Sequence, residues 1–298
     1  MIGLISWLWS CASWLSFWLC RFRKPQHLGP RVIGVGNLQA GGTGKTPLVA
    51  FLAREASQRG CRVGILLRGY RSPSEFQNEV LLPGQVPSEH CSDEARLLQR
   101  LCPEATLGIG ADRIGSFELM KKHGPWDLII LDDAFQYHKI HQDIRILTLT
   151  SWKPSEKIFR DFFGASKRAD LLVWTKGEIP PERACIKVRY RIPPPAQGVG
   201  FLLVTGIGDP QEAWKLLNAS GYQVKRHCIF KDHHEYTQVQ VGSLLNQASA
   251  MQCQVVLTGK DWVKWELLGV KRSEVLVLEP ELIFEGGYEL WSEVLWGK

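Results

Sequence analysis

No two cysteines of this chain stand at C-x-x-C spacing; its eight, at positions 11, 20, 61, 91, 102, 185, 228 and 253, are scattered. That pattern supplies neither a zinc cluster nor a disulfide framework, and it points to a reducing, cytosolic setting. Internal repeats and low-complexity tracts are also missing, so the chain does not read as a solenoid or a linker-like polymer. Net charge is small. At +6 it is mildly basic, which suits anionic substrates or an anionic membrane surface but does not by itself indicate nucleic acid. What remains is ordinary globular material, 45% hydrophobic and 22% charged over 298 residues, enough for one large or two modest domains with buried cores.

One further absence is local. Residues 1–20 hold no charged side chain, and Arg21, Arg23 and Lys24 follow directly. A cleaved signal peptide wants its charges ahead of the apolar run, and here they lie behind it. The segment is just long enough to span a bilayer, which takes roughly 20 apolar residues. It also suits an in-plane anchor: at 100° per residue Trp7, Trp14 and Trp18 share a face with Leu4 and Leu15, while Gly3, Ser6, Ser10 and Ser13 cluster on another. The basic cluster would then meet cytoplasmic headgroups. A membrane anchor over residues 1–28 is the expectation, with monotopic insertion ahead of a full span; a helix buried in the protein is the plain alternative.

The rest of the chain is organised around Arg31-Val-Ile-Gly-Val-Gly-Asn-Leu-Gln-Ala-Gly-Gly-Thr-Gly-Lys-Thr-Pro47. A β-branched run (Val32, Ile33, Val35) enters a glycine turn, and a helical pattern (Leu48, Val49, Phe51, Leu52, Ala56) leaves it. Strand, glycine loop, Lys-Thr and helix make a phosphate-binding loop, whose backbone N–H groups wrap phosphate oxygens at a helix N-terminus. Gln39, Ala40, Gly41, Gly42, Thr43, Gly44, Lys45 and Thr46 are the expected nucleotide contacts. Lys45 would reach the β- and γ-phosphates, and the Thr46 hydroxyl would serve Mg²⁺. The strict G-x-x-x-x-G-K-[ST] pattern asks for glycine where Gln39 stands, so this is a variant loop. A glycine-rich turn with a surface lysine is its bland counterpart.

From Arg31 onward strand-like runs (Val32–Val35, Val63–Leu67, Leu128–Leu131, Ile144–Leu149, Leu171–Trp174) alternate with helical ones (Leu48–Arg59, Asp93–Cys102, Ile114–His123). Such alternation predicts an α/β fold, P-loop NTPase-like, with a mostly parallel sheet and helices on both faces. The Pro-rich stretch Ile192–Gly198 reads as a linker. Beyond it, strands near Phe201–Thr205, Val224–Phe230, Val255–Thr258 and Val275–Leu278 alternate with helices near Glu212–Ala219 and Thr237–Met251. The expected organisation is an anchor over 1–28, a nucleotide-binding core over 29–191 and a smaller α/β lobe over 192–298.

Several clusters could carry chemistry. Asp127-Leu-Ile-Ile-Leu-Asp132-Asp133 is a hydrophobic strand ending in two carboxylates, and ligands of doubly wound sheets bind at such strand ends. One of the pair would hold Mg²⁺; a surface Asp-Asp turn is the alternative. Ser92 caps a helix that opens on Asp93-Glu94, where an aspartate serves either chemistry or the helix dipole. Asp112-Arg113 carries the same ambiguity. Lys231-Asp-His-His234 follows a strand, so His233 is either a functional base or phosphate contact, or a solvated loop residue. Arg68-Gly-Tyr70 ends the second strand beside the loop, and Arg160 is a loose candidate for gripping an anion.

These residues resemble the tetraacyldisaccharide 4′-kinase family, LpxK, over nearly the whole chain. The matching segments are Val35–Pro47, Arg68-Gly-Tyr70, Asp93-Glu94, Asp112-Arg113, Leu131-Asp-Asp-Ala-Phe-Gln136, Thr205-Gly-Ile207 with Pro210, Phe230-Lys-Asp-His233 and Thr258-Gly-Lys-Asp261. The resemblance implies an ATP- and Mg²⁺-dependent kinase on the cytoplasmic face of a Gram-negative inner membrane, phosphorylating the 4′-hydroxyl of a tetraacyldisaccharide 1-phosphate, the lipid A disaccharide precursor. Inner-membrane lipid is the expected surrounding; neither nucleic acid nor an obligate protein partner is. It gives Asp93 the part of general base with His233 as its tuning partner, and places Lys45 and Asp133 in catalysis. Thr46, Asp132 and Asp133 fall to the metal, Tyr70 to the nucleotide, and Arg160, Asp112 and Arg113 to the substrate. The chain departs from the family pattern at Ala134, at Tyr137, where a histidine is usual and His138 follows one place later, and at Gly259. A membrane-associated P-loop ATPase that switches a protein partner is the rival reading, and it has no need of a base aimed at a lipid hydroxyl.

Overall fold

The computed structural model describes residues 24–39, 42–150, 159–177 and 185–297, together with Trp7, Ser10 and Cys11. The expected membrane anchor therefore lies almost wholly outside the described residues. Among those described, no helix is long and apolar enough to cross a membrane.

Two compact units form, Met1–Arg189 with Leu282–Lys298, and Tyr190–Glu281. In chain order the first holds β1 (Arg31–Asn37), α1 (Lys45–Gln58), β2 (Val63–Leu67), α2 (Ser74–Gln77), β3 (Glu79–Leu81), α3 (Asp93–Leu101), β4 (Thr106–Ile109), α4 (Arg113–Met120), β5 (Leu128–Asp132), β6 (Ile144–Leu149) and β7 (Leu171–Trp174). The chain leaves this unit within β8 (Ile186–Arg191). It returns at β13 (Glu281–Gly286) and closes with α8 (Tyr288–Trp296). Nine strands make one sheet in the order β13-β8-β7-β6-β1-β5-β2-β4-β3. From β4 across to β8 every pairing is parallel, and β3 runs antiparallel to its neighbour β4. β2, β4 and β5 are buried along their whole length, as strands covered on both faces must be, and this is why they read as unbroken apolar runs.

The parallel register places the carboxyl ends of β1, β5 and β6 side by side, with Val35 opposite Asp132 and Asn37 opposite Thr148. Sequence order reverses about β1, whose neighbours are β5 and β6, so the crevice beyond its end is where a ligand is expected. Gly36 permits a close approach there. A Cβ on it would stand 2.5 Å from both the backbone nitrogen and the Cβ of Phe135, and Ala134 N–H donates to Val35 O at 3.0 Å just beside it. Gly36→Ala is expected to cost about 1–3 kcal/mol, because backbone rather than a flexible side chain must yield. Urea denaturation of the variant measures that cost.

The second unit carries a wholly parallel sheet, β10 (Gln223–Ile229), β9 (Gly200–Thr205), β11 (Cys253–Thr258) and β12 (Val275–Leu278), paired in that order. Its helices are α5 (Pro210–Ala219), α6 (Gln238–Ala250) and α7 (Gly259–Leu267). Ile192, Phe201, Leu203, Leu217, Tyr222, Val256 and Leu278 form its core.

The expected boundary of 192–298 differs from this at its far end. Residues 282–298 belong with the first unit. There Trp291 Nε1 donates to Glu55 Oε2 on α1 at 2.8 Å, Tyr288 Oη meets Glu55 Oε1 at 3.1 Å, and Arg59 covers the Trp296 ring at 4.8 Å. β4 and β8 were not expected either. Thr106-Leu-Gly-Ile109 is short and interrupted by glycine, and β8 alternates buried Ile186 and Val188 with exposed Lys187 and Arg189.

Candidate active site

The glycine loop follows β1 and ends at Gly44, which precedes α1 in the left-handed region (φ 74°) that glycine adopts without strain. Ala40 and Gly41 lie outside the described residues. Around them the loop is pinned from several strands. Asn37 Nδ2 donates to Thr43 Oγ1 at 3.0 Å and also to Gln39 O. Thr148 Oγ1, at the end of β6, bonds to Thr43 Oγ1 at 3.1 Å, and Thr175 Oγ1, just past β7, to Thr43 O at 3.0 Å. Gln39 stands where the strict motif has glycine, and its side chain has work there: Gln39 Oε1 accepts from Thr150 N at 2.8 Å and Thr150 Oγ1 at 2.9 Å. Leu38, Phe135, Leu147, Leu149, Phe159 and Trp174 form the apolar floor beneath.

Lys45 opens α1 and turns back over the strand ends. Its Nζ lies 3.1 Å from Asn37 Oδ1 and 2.9 Å from Asp133 Oδ1. Arg160 joins from the far side, Nη1 reaching Asp133 Oδ2 at 3.1 Å and Oδ1 at 3.3 Å. Its backbone N–H is bonded to Leu38 O at 2.6 Å, which ties this segment to the loop. Asp133 itself adopts a left-handed backbone (φ 51°), uncommon for a residue with a side chain. Burial alone would raise its pKa, but Lys45, Arg160 and Arg113 together hold the carboxyl well below the usual carboxylate range. Asp132 behaves oppositely. It is buried at the end of β5, and burial, with the nearby charges of Glu94 and Asp133, pushes its pKa up against Lys45 and Arg113.

That contrast bears on metal binding. A buried, under-compensated carboxylate beside an ionised one, with the Thr46 hydroxyl on the adjoining helix turn, is a hard oxygen donor set suited to Mg²⁺. No three His, Cys, Asp or Glu side chains converge as a metal cluster among the described residues. A Mg²⁺ held by one or two carboxylates plus substrate phosphates requires none.

Asp112 and Arg113, which the family resemblance gives to the substrate, differ in placement, Asp112 being exposed and Arg113 buried. Asp112 precedes α4 and makes no side-chain cap bond. Arg113 is only 4% exposed, donates from Nη2 to Asp132 O at 2.9 Å, and lies over the Tyr137 ring at 4.6 Å. It supports the acidic end of β5 from a buried position. Tyr137 takes a matching place as its aromatic platform, packed against the core of β1, β5 and α4. At His138, burial, with Arg168 and Arg145 nearby, lowers the pKa to about 4 and disfavours the cation. Since the unfolded ring takes up its proton first, this histidine contributes stability above about pH 6.5 that is lost as pH falls through about 4. His138→Gln is therefore expected to flatten the decline of stability over that interval, read from denaturation midpoints.

Asp93 sits in the first turn of α3, which Ser92 caps by accepting from Ala95 N at 3.2 Å. The charge of its neighbour Glu94 helps to raise the pKa of Asp132 at the end of β5. Tyr70, past the end of β2, is 44% exposed, with Arg68 and Arg71 over its ring at 5.7 and 5.2 Å. His233 belongs to the second unit. Sequence reasoning missed Asn37, Thr148 and Thr175, though each is a polar residue closing or following an apolar strand, and that position is itself a signal.

The family described as LpxK, tetraacyldisaccharide-1-P 4′-kinase, matches residues 1–295. A Geobacter sulfurreducens protein named tetraacyldisaccharide 4′-kinase is 32% identical over 268 residues, spanning 80% of this chain and 76% of its own length. One of the same name from Geobacter metallireducens is 33% identical over 274 residues, spanning 81% and 80%. Among solved structures, the crystal structure of "apo" form LpxK from Aquifex aeolicus in complex with ATP aligns with a TM-score of 0.77 at 26% identity, over 98% of this chain and 96% of that one.

Proposed function

This chain belongs to the LpxK family of tetraacyldisaccharide-1-P 4′-kinases, and from that premise we propose how its own residues perform the transfer of the ATP γ-phosphate to the 4′-hydroxyl of a tetraacyldisaccharide 1-phosphate. The loop amides from Gln39 to Thr46 cradle the triphosphate at the N-terminus of α1. Lys45 moves from Asp133 to the phosphoryl oxygens, where charge accumulates as transfer proceeds. Thr46, Asp132 and Asp133 would hold Mg²⁺, which when bound would neutralise phosphate charge. Arg160, already on Asp133, is a second cation for the transferred group or the acceptor's phosphate. Asp93 accepts the proton of the sugar hydroxyl as the O–P bond forms. His233 takes part from the second unit, and Tyr70 flanks the nucleotide.

One observation carries this reading: Lys45, Asp133 and Arg160 converge within 2.9–3.3 Å at the strand ends beside a glycine loop that opens a helix. Such convergent, pre-placed charge is what phosphoryl transfer demands, since positioning and neutralisation lower its barrier. A tetraacylated acceptor sits in a bilayer, so the enzyme works at the cytoplasmic face of the inner membrane, with residues 1–28 as its anchor and no other partner needed.

Membranes holding the protein are expected to pass ³²P from [γ-³²P]ATP to tetraacyldisaccharide 1-phosphate. Asp93→Asn is expected to slow this at least about a hundredfold while ATP binding persists. ATP hydrolysis without lipid labelling, raised by a protein partner, would instead make the chain a nucleotide switch.

A further inference from the structure

Within the second unit, Lys260 at the start of α7 reaches two side chains of the loop after β10. Its Nζ lies 3.2 Å from Asp232 Oδ1 and 3.1 Å from His233 Nε2. The Asp232 carboxylate itself stands 3.9 Å from His233 Nε2, too far to share its proton. The side chains of Lys260 and His233 are mostly sheltered, at 19% and 16% exposure. His233 is also one of the few residues with a side chain to hold a left-handed backbone (φ 61°), secured by its N–H on Gly206 O at 3.2 Å. Strain of this kind persists where surrounding structure insists on it, and it concentrates at functional positions.

We propose that Lys260 is a positioning residue for the kinase reaction: its ammonium, neutralised by Asp232, fixes His233 in the tautomer that carries its proton on Nδ1. The reasoning is one of donors and acceptors. An ammonium has three donors and no acceptor, so an imidazole nitrogen 3.1 Å away must present a lone pair. Reversing the roles would need a neutral lysine with a free lone pair, and the Asp232 carboxylate already on Nζ favours the ammonium instead. Turning the ring over would aim Cε1 at the ammonium and leave the contact without an acceptor. With Nε2 engaged, the proton sits on Nδ1, and His233 becomes a directed single-proton donor rather than a ring free to choose. A donor of that kind suits a carboxylate or a phosphate oxygen. Asp232 holds the lysine in place, and Lys260 holds the histidine.

This rests on the part in transfer proposed for His233, and two readouts keep the two claims separable. In ¹⁵N-labelled full-length protein, the His233 ring nitrogens are expected to show the Nδ1–H pattern. In Lys260→Met that preference is expected to vanish, with kcat falling about tenfold, KM for ATP holding steady and the fold retained by circular dichroism. Lys260→Arg, which can still donate, is expected to keep the tautomer and most of kcat. Adding Lys260→Met to His233→Ala is expected to cost nothing further. A wild-type ring protonated on Nε2, or a Lys260→Met enzyme with wild-type kcat beside a crippled His233→Ala, would overturn the proposal. If His233→Ala itself turned over normally, the role of His233 in transfer would fall and this one with it, while the nitrogen spectrum would still report whether the Lys260 contact sets the tautomer.

Discussion

Lys45→Ala is expected to lower the rate of phosphoryl transfer by about a thousandfold while leaving the chain folded. The side chain is fixed before any phosphate arrives, between Asn37 Oδ1 and Asp133 Oδ1, and is only 17% exposed. A charge held so needs little rearrangement when negative charge builds on the transferred group, and that pre-placement is where a donor's catalytic effect comes from. Stability should change far less. Asp133 keeps Arg160 at 3.1 Å, and the ion pair being lost is 38% exposed on its acidic side, where solvent screens it. Single-turnover transfer measured beside a denaturation midpoint separates the two effects. A variant with normal turnover would remove Lys45 from the mechanism.

Arg113→Met is expected to do the reverse and cost about 3–5 kcal/mol of stability, because it strips the supporting cation from beneath two carboxylates. Burial lowers the pKa of Arg113, and Asp133, Tyr137 and Asp132 oppose that shift, so the guanidinium and the two carboxylates favour one another's charged forms. Without it Asp132 O loses its donor and the Tyr137 ring loses the cation lying on it. Activity should fall as a consequence, since the acidic pair would no longer be held at the end of β5. Arg160→Met supplies the contrast. Its side chain is 25% exposed and approaches Asp133 from the outer side. Transfer should suffer there while the denaturation midpoint moves by less than about 1 kcal/mol equivalent. Equal stability losses for the two arginines would refute the distinction drawn between support and phosphate contact.

Tyr137 stands where the family resemblance leads one to expect a histidine, a group able to turn cationic. In the structure its ring lies against Arg113, while Lys45 and Arg160 balance Asp133. The neighbouring His138 is half-buried, and burial together with Arg168 and Arg145 lowers its pKa to about 4.

Most of the core strands were legible because their signal is short-range. β1, β2, β5, β6 and β7 are apolar runs bounded by turn residues, and α1 and α3 show helical spacing with Ser92 as a visible cap. The loop and the acidic pair were legible for the same reason: residues that follow one another suffice to identify them. Arg113 and Arg160 were not. Both are arginines beside an aspartate in sequence, at 112–113 and 160–161, and nothing local tells which one is buried and which one faces outward.

Local order along the chain thus determined the phosphate loop, its Lys-Thr, the carboxylates ending β5 and the alternation that makes a parallel α/β sheet. Tertiary structure alone decided that Arg160 rather than Arg113 lies on Asp133 from the open side, that Thr148 and Thr175 pin the loop, and that α8 returns to α1 through Glu55. The physical reason is separation. Periodicity, capping and turn chemistry act over a few residues, whereas partners 27, 105, 132 and 236 positions apart meet only once strand order and register have set which ends of the sheet lie side by side.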